Sequence, residues 1–103
     1  MRELASITKS EIVSGGCHVF VVDGKEIALH RDGEKFIAFD NQCPHKGANL
    51  NEGMFKNGVV TCPWHRFRFD LQTGQSLTNK KLAFQVYDVI EQGDSIKIVA
   101  QES

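Results

Sequence analysis

Short apolar runs alternate with charged turns along almost the whole chain, and nowhere does the pattern lengthen into the 3.6-residue period of a long helix. The stretch from Cys17 to Asp40, "CHVFVVDGKEIALHRDGEKFIAFD", holds three β-rich runs separated by "DGKE" and "DGE". Asp-Gly pairs between such runs are hairpin signals, so a three-stranded meander is predicted here. Further strands are predicted at Val59–Thr61 and Phe67–Leu71, after which "TGQ" at 73–75 turns the chain back. The tail adds Ala83–Ile90 and Ser95–Ala100, joined by "EQGD"; "SIKIVA" alternates as a half-buried strand does. Helix is confined to a turn within Ala48–Gly53. The predicted fold class is all-β, an antiparallel β-sandwich or small barrel. It forms a single domain over residues 1–103, with a loop-rich insert at about 41–71 and no internal repeat.

Composition narrows the function. The 103 residues carry 12 basic and 13 acidic side chains, a formal net charge of -1 that offers no footprint for nucleic acid or an anionic membrane. No apolar run approaches the roughly 20 residues that span a bilayer. The first sixteen residues mix charges without an apolar core, so no secretory signal is read and a cytoplasmic location is expected. Three cysteines without an export signal favour metal or redox chemistry over a disulfide framework.

Two similar loops carry the candidate chemistry. "CPHKGANL" begins at Cys43 and "CPWHRFRFDL" at Cys62, and they hold both prolines of the chain, Pro44 and Pro63. The pattern is Cys43-x-His45, sixteen residues, then Cys62-x-x-His65. Thiolate and imidazole together suit zinc, copper, or iron in a sulfide cluster. A Cys2His2 zinc finger groups its cysteines in one close pair and its histidines in another, whereas each loop here supplies one of each. Two loops that both reach across a binuclear centre need this mixed arrangement. A structural zinc site with the same four residues is the other reading of the spacing.

The motif resembles the Rieske iron–sulfur family, whose signature is Cys-x-His, a spacer of about this length, and Cys-x-x-His. Pro63 and the following "FDLQTG" agree as well, so the resemblance is close over residues 40–75. It implies a Rieske-like fold with a cluster-binding subdomain and a Rieske-type [2Fe-2S] cofactor. Cys43 and Cys62 would then hold one iron, and His45 and His65 the other. The 38 residues after His65 contain no histidine, so the second iron site of Rieske oxygenase catalytic subunits is not expected here. High-potential members carry a disulfide between the ligand loops and two hydroxyls near the sulfurs; the matching positions here are Ala48, Trp64, Phe67 and Phe69. Missing hydrogen bonds to sulfur lower the potential, toward the order of -150 mV at the low end of the Rieske range.

The implied function is that of a soluble Rieske-type ferredoxin: a one-electron carrier, not itself an enzyme, between a flavin-dependent NAD(P)H reductase and a terminal oxygenase. A resemblance to the small subunit of assimilatory NAD(P)H nitrite reductase implies instead a large catalytic subunit as partner. A zinc-holding or redox-sensing binding module is the reading from another class. Lys46, Arg66 and Arg68 form a candidate basic collar for a partner, and Arg66 stands where many relatives have glycine. Cys17 reads as a small buried thiol, His18 and His30 as surface or satisfied strand residues, and Trp64 as a packing or docking residue. Leu50, Met54, Phe55, Phe67 and Phe69 are expected to support the ligand loops, and Gly47, Gly53 and Gly74 to occupy positive-φ turns.

Overall fold

A computed structural model describes residues 2–44, 47–64 and 66–100. Nine strands form in chain order: β1 (Arg2–Thr8), β2 (Cys17–Val22), β3 (Lys25–Asp32), β4 (Lys35–Asp40), β5 (Met54–Lys56), β6 (Val59–Thr61), β7 (Arg68–Asp70), β8 (Val86–Gln92) and β9 (Ser95–Ala100). Two short 3₁₀ turns, Lys9–Glu11 and Leu50–Glu52, complete the regular structure. One sheet has the order β1-β9-β8-β4-β3-β2, and its edge strands β1 and β2 approach each other, so it curls into a nearly closed barrel. A second sheet, β5-β6-β7, carries the loop of Cys62 between β6 and β7, and the loop of Cys43 runs from β4 of the first sheet toward β5 of the second. Every pairing is antiparallel.

The predicted meander forms as β2-β3-β4, and its Asp23-Gly24 turn puts both residues at positive φ, as a type I′ hairpin requires. Val59–Thr61 and Ser95–Ala100 form as expected, while the strand expected from Ala83 begins at Val86 and runs to Gln92. Ala83 to Gln85 instead lie in the loop that covers the second sheet, where the Phe84 amide donates to the Gly74 carbonyl. Two strands escape the sequence pattern. β1 mixes charged and apolar residues because it lies at a sheet edge against β9. β5 is only three residues long, yet the Asn57-Gly58 pair behind it is a type I′ hairpin signal.

The middle strands β3 and β4 are buried on both faces. Ile27, Leu29 and Ala38 face a core inside the barrel with Tyr87, Ile96 and Ile98, whereas Ala28 and Phe39 face a second core. That second core joins the two sheets and contains Cys43, Leu50, Val60, Cys62, Phe69 and Phe84. Alternation is therefore absent from "FIAF" for a physical reason: both sides of the strand find apolar partners.

Two expectations about the support of the loops need correction. Met54 is 72% exposed, because β5 is an edge strand and only its middle residue, Phe55, turns toward the core. Gly53 has φ -79°, not a positive value; it is needed because a Cβ there would overlap the Thr61 carbonyl oxygen. Gly47 and Gly74 do have positive φ, and at Gly74 a Cβ would also overlap the Phe84 carbonyl oxygen.

His30 is buried at the seam between the sheets, its ring stacked on Phe55 at 4.0 Å between centroids. Its Nδ1 lies 3.2 Å from the Gly16 carbonyl oxygen and 3.4 Å from Cys17 Sγ. Burial lowers its pKa, opposed by the Gly16 carbonyl and by the negative field of Asp32. The folded state therefore holds the neutral ring, and its contribution to stability is complete above the unfolded value near 6.5 and is lost as pH falls below it. Urea midpoints measured at about pH 7.5 and about pH 5.5 for the wild type and His30→Leu test this: the gap between the two proteins narrows at the lower pH.

Candidate metal centre

The first ligand loop is pinned at both ends by Asn41, which is almost fully buried. Its side-chain oxygen accepts from the Asn51 amide at 2.8 Å, its Nδ2 donates to Glu26 at 2.9 Å, and its carbonyl accepts from the Leu50 amide. Inside this clamp the Cys43 amide donates to the Ala48 carbonyl and the Gly47 amide to the Cys43 carbonyl, at 2.8 and 2.7 Å. Gly47, at φ +74°, permits the reversal. Sequence reasoning missed Asn41; a polar residue two positions before the Cys-Pro pair, just past the end of β4, was the signal.

The second ligand loop closes the β6–β7 hairpin. The Cys62 amide donates to the Phe67 carbonyl at 2.7 Å, and the last paired residues are Thr61 and Arg68. Arg66 within it has φ +56°, a left-handed conformation that costs a residue other than glycine about 1–2 kcal/mol. The departure from glycine noted in the sequence thus falls on a backbone position that glycine would fill without strain. Trp64, the single tryptophan, is 57% exposed. A third loop, 71–85, braces β7 from outside: buried Ser76 donates to the Arg68 carbonyl and accepts the amides of Thr78 and Asn79.

These two loops bring Cys43 and Cys62 side by side, both buried and both free of disulfide. Burial pushes the Cys62 thiol up to about 11; the Trp64 amide donating to its sulfur opposes this, and the adjoining Cys43 thiol adds to it. His45, Lys46 and His65 lie outside the described residues. Cys17 stands apart from the pair, on β2 opposite His30, half-buried and raised by burial to about 12, which leaves it an inert thiol.

The pair fits a metal centre. Two neighbouring thiols in an apolar shell resist ionisation because each thiolate would be desolvated and would repel the other. Cys43 and Cys62, once deprotonated, could hold iron, whose positive charge would offset the negative charge of two buried thiolates. The Trp64 amide would then donate to a metal-bound sulfur, an interaction that stabilises added negative charge.

A β protein that closes a barrel with one sheet and holds paired thiols between two loops of another has the form of a small iron–sulfur protein. Residues 3–88 match the Rieske [2Fe-2S] domain family, and the chain belongs to it. It is 34% identical over 77 residues to the ferredoxin component of the naphthalene 1,2-dioxygenase system of Pseudomonas putida, covering 75% of this chain and 74% of the relative. Its structure is similar to that of the ferredoxin of carbazole 1,9a-dioxygenase from Nocardioides aromaticivorans IC177, with a TM-score of 0.87, 31% identity, and coverage of 98% of this chain and all of the other. The fold is also shared with a protein described as an NADH-dependent nitrite reductase small subunit from Mycobacterium tuberculosis, with a TM-score of 0.84 at 20% identity over 97% and 98% of the two chains. The cofactor is accordingly a Rieske-type [2Fe-2S] cluster.

Proposed function

We propose that this chain is a one-electron carrier that takes electrons from a flavin-dependent NAD(P)H reductase and delivers them to a terminal oxygenase. The observation that carries the reading is the pair of adjoining buried thiols, Cys43 and Cys62, held by loops whose residue Trp64 is exposed at the surface. The names of its relatives as ferredoxin components of dioxygenase systems support the same partner class. Cys43 and Cys62 hold one iron and His45 and His65 the other, in one functional unit over 1–103 with the cluster-binding insert at 41–71, located in the cytoplasm. No helix among the described residues is long and apolar enough to cross a membrane.

When bound, the cluster supplies one-electron chemistry; the chain supplies its setting. Thiolate ligation from a buried apolar site excludes water from the sulfurs, and the Trp64 amide donates to one of them. Phe69, fully buried against Phe84, offers no hydroxyl to add a second donor, which keeps the potential low, on the order of -150 mV.

Absorption and low-temperature EPR spectra of the anaerobically purified protein, before and after dithionite, test the reading. The expected result is a visible band that bleaches on reduction, with a reduced-state signal whose average g lies below the free-electron value. A colourless protein containing zinc and no iron would replace electron transfer with a structural clamp. The fold shared with a nitrite reductase small subunit supports a second reading, in which the chain co-purifies with a large catalytic subunit rather than as a free carrier.

A further inference from the structure

We propose that the redox partner of this chain docks through an acidic face, drawn to a positively charged collar that tertiary structure assembles around the cluster loops from Arg66, Arg68, Lys80 and Lys81. The proposal rests on the electron-carrier reading above and adds the charge and position of the partner's contact.

The third loop makes the collar. The Leu77 amide donates to the Arg68 carbonyl at 2.7 Å and the Arg68 amide donates to Thr78 Oγ1 at 3.1 Å. These bonds tie Leu77 and Thr78 to the end of β7 on which the second ligand loop closes. Lys80 and Lys81 follow Thr78 by two and three positions, which brings them to the side of the molecule that carries Arg68, although at least twelve positions separate them from Arg68 in the chain. All four cations are exposed, and none has an ion-pair partner among the described residues. Arg2, Lys9, Lys25 and Lys97, by contrast, are each paired with a carboxylate.

The charge distribution is more polar than the net charge implies. Segments 43–51, 62–69 and 76–85 contain five cations, Lys46 included, and no acidic residue. The remainder of the chain has seven cations against thirteen acids. The molecule measures 37 × 31 × 20 Å, while charges in about 0.1 M salt are screened over about 10 Å. A partner approaching the cluster end therefore meets the positive collar and not the net charge of -1. Trp64 in the second ligand loop and Leu77 in the third, 57% and 50% exposed, add apolar surface to the arginines and lysines of these loops, the composition of a docking face. A nucleic acid is the weaker occupant, since the thirteen acids elsewhere repel a long polyanion.

The test uses the dithionite-reduced holoprotein in stopped flow with two small oxidants of opposite charge. Hexacyanoferrate(III) takes one electron and becomes hexacyanoferrate(II); hexaammineruthenium(III) takes one and becomes the ruthenium(II) ion. The expected rate with hexacyanoferrate falls as ionic strength rises, the rate with hexaammineruthenium rises, and poly-L-glutamate slows the hexacyanoferrate reaction. Arg68→Glu with Lys80→Glu lowers the hexacyanoferrate rate at low salt by about tenfold. Arg66 is left in place because its left-handed backbone complicates any replacement. Lys35→Glu with Lys56→Glu makes the same change in net charge around the β5–β6 turn, opposite the ligand loops, and leaves the rate within about twofold. A hexacyanoferrate rate that rises with ionic strength, or an equal effect of the two double variants, overturns the collar. Binding of a random-sequence DNA duplex as tightly as poly-L-glutamate in about 0.15 M salt overturns the acidic-protein assignment. A protein with no reducible chromophore overturns the carrier reading, and the docking proposal with it; a reducible protein with the wrong salt dependence overturns the docking proposal alone.

Discussion

Cys62→Ala yields a folded protein that retains no iron. The thiol is 1% exposed and lies against Cys43, so no other side chain among the described residues can take its place beside that sulfur, and water has no route to it. Alanine occupies less volume than cysteine and adds no polar group, so the apolar core around it loses about 1 kcal/mol rather than collapsing. Loss of one of the four proposed ligands, by contrast, would remove the charge balance on which the remaining buried thiolate depends. Iron analysis and the visible spectrum read the first effect, and far-UV circular dichroism of wild-type and variant apoproteins reads the second. A variant that keeps its iron and its colour would mean that Cys62 is not a ligand. The same result is expected for Cys43→Ala.

Phe39→Ala carries the largest expected loss of stability. Phe39 lies on β4 with no exposed surface, its ring 5.4 Å from that of Phe84 and 6.1 Å from that of Phe55. It thus holds the barrel sheet, the edge strand of the second sheet and the covering loop together. Truncating a fully buried phenylalanine costs about 3–5 kcal/mol in lost burial and in the cavity left behind. Domains of this size have about 5–15 kcal/mol in all, so the thermal midpoint drops by ~15 °C or more. Because the same core holds Cys43 and Cys62, the visible band should bleach at the lowered melting temperature and not before it. A drop of only a few degrees would mean that the two sheets are held together elsewhere.

The family motif and the hairpins were legible because both are local. Cys43-x-His45 and Cys62-x-x-His65 are read by counting, and Asp23-Gly24 adopts the positive φ values of a hairpin turn whatever surrounds it. Asn57-Gly58 is equally local and marks the β5–β6 hairpin, but β5 is three residues long with an exposed methionine, too short to show a period. Edge strand β1 carries arginine and glutamate where an inner strand would carry valine, since its outward face meets water. Met54 was placed in the support of the loops on hydrophobicity alone, which says nothing about which face of an edge strand a side chain occupies.

What the sequence determined by itself is the family motif and the strand-rich plan: residue types at fixed spacing and turn residues with special backbone freedom act over a few positions, where no knowledge of the rest of the chain is required. Tertiary structure decided the remainder. It buried β3 and β4 on both faces, set Asn41 as the clamp of the first loop, and laid Leu77 and Thr78 of the third loop against Arg68 beside the second. Each of these depends on contacts between residues distant in the chain, and such contacts are chosen by the burial of a whole core rather than by any short pattern.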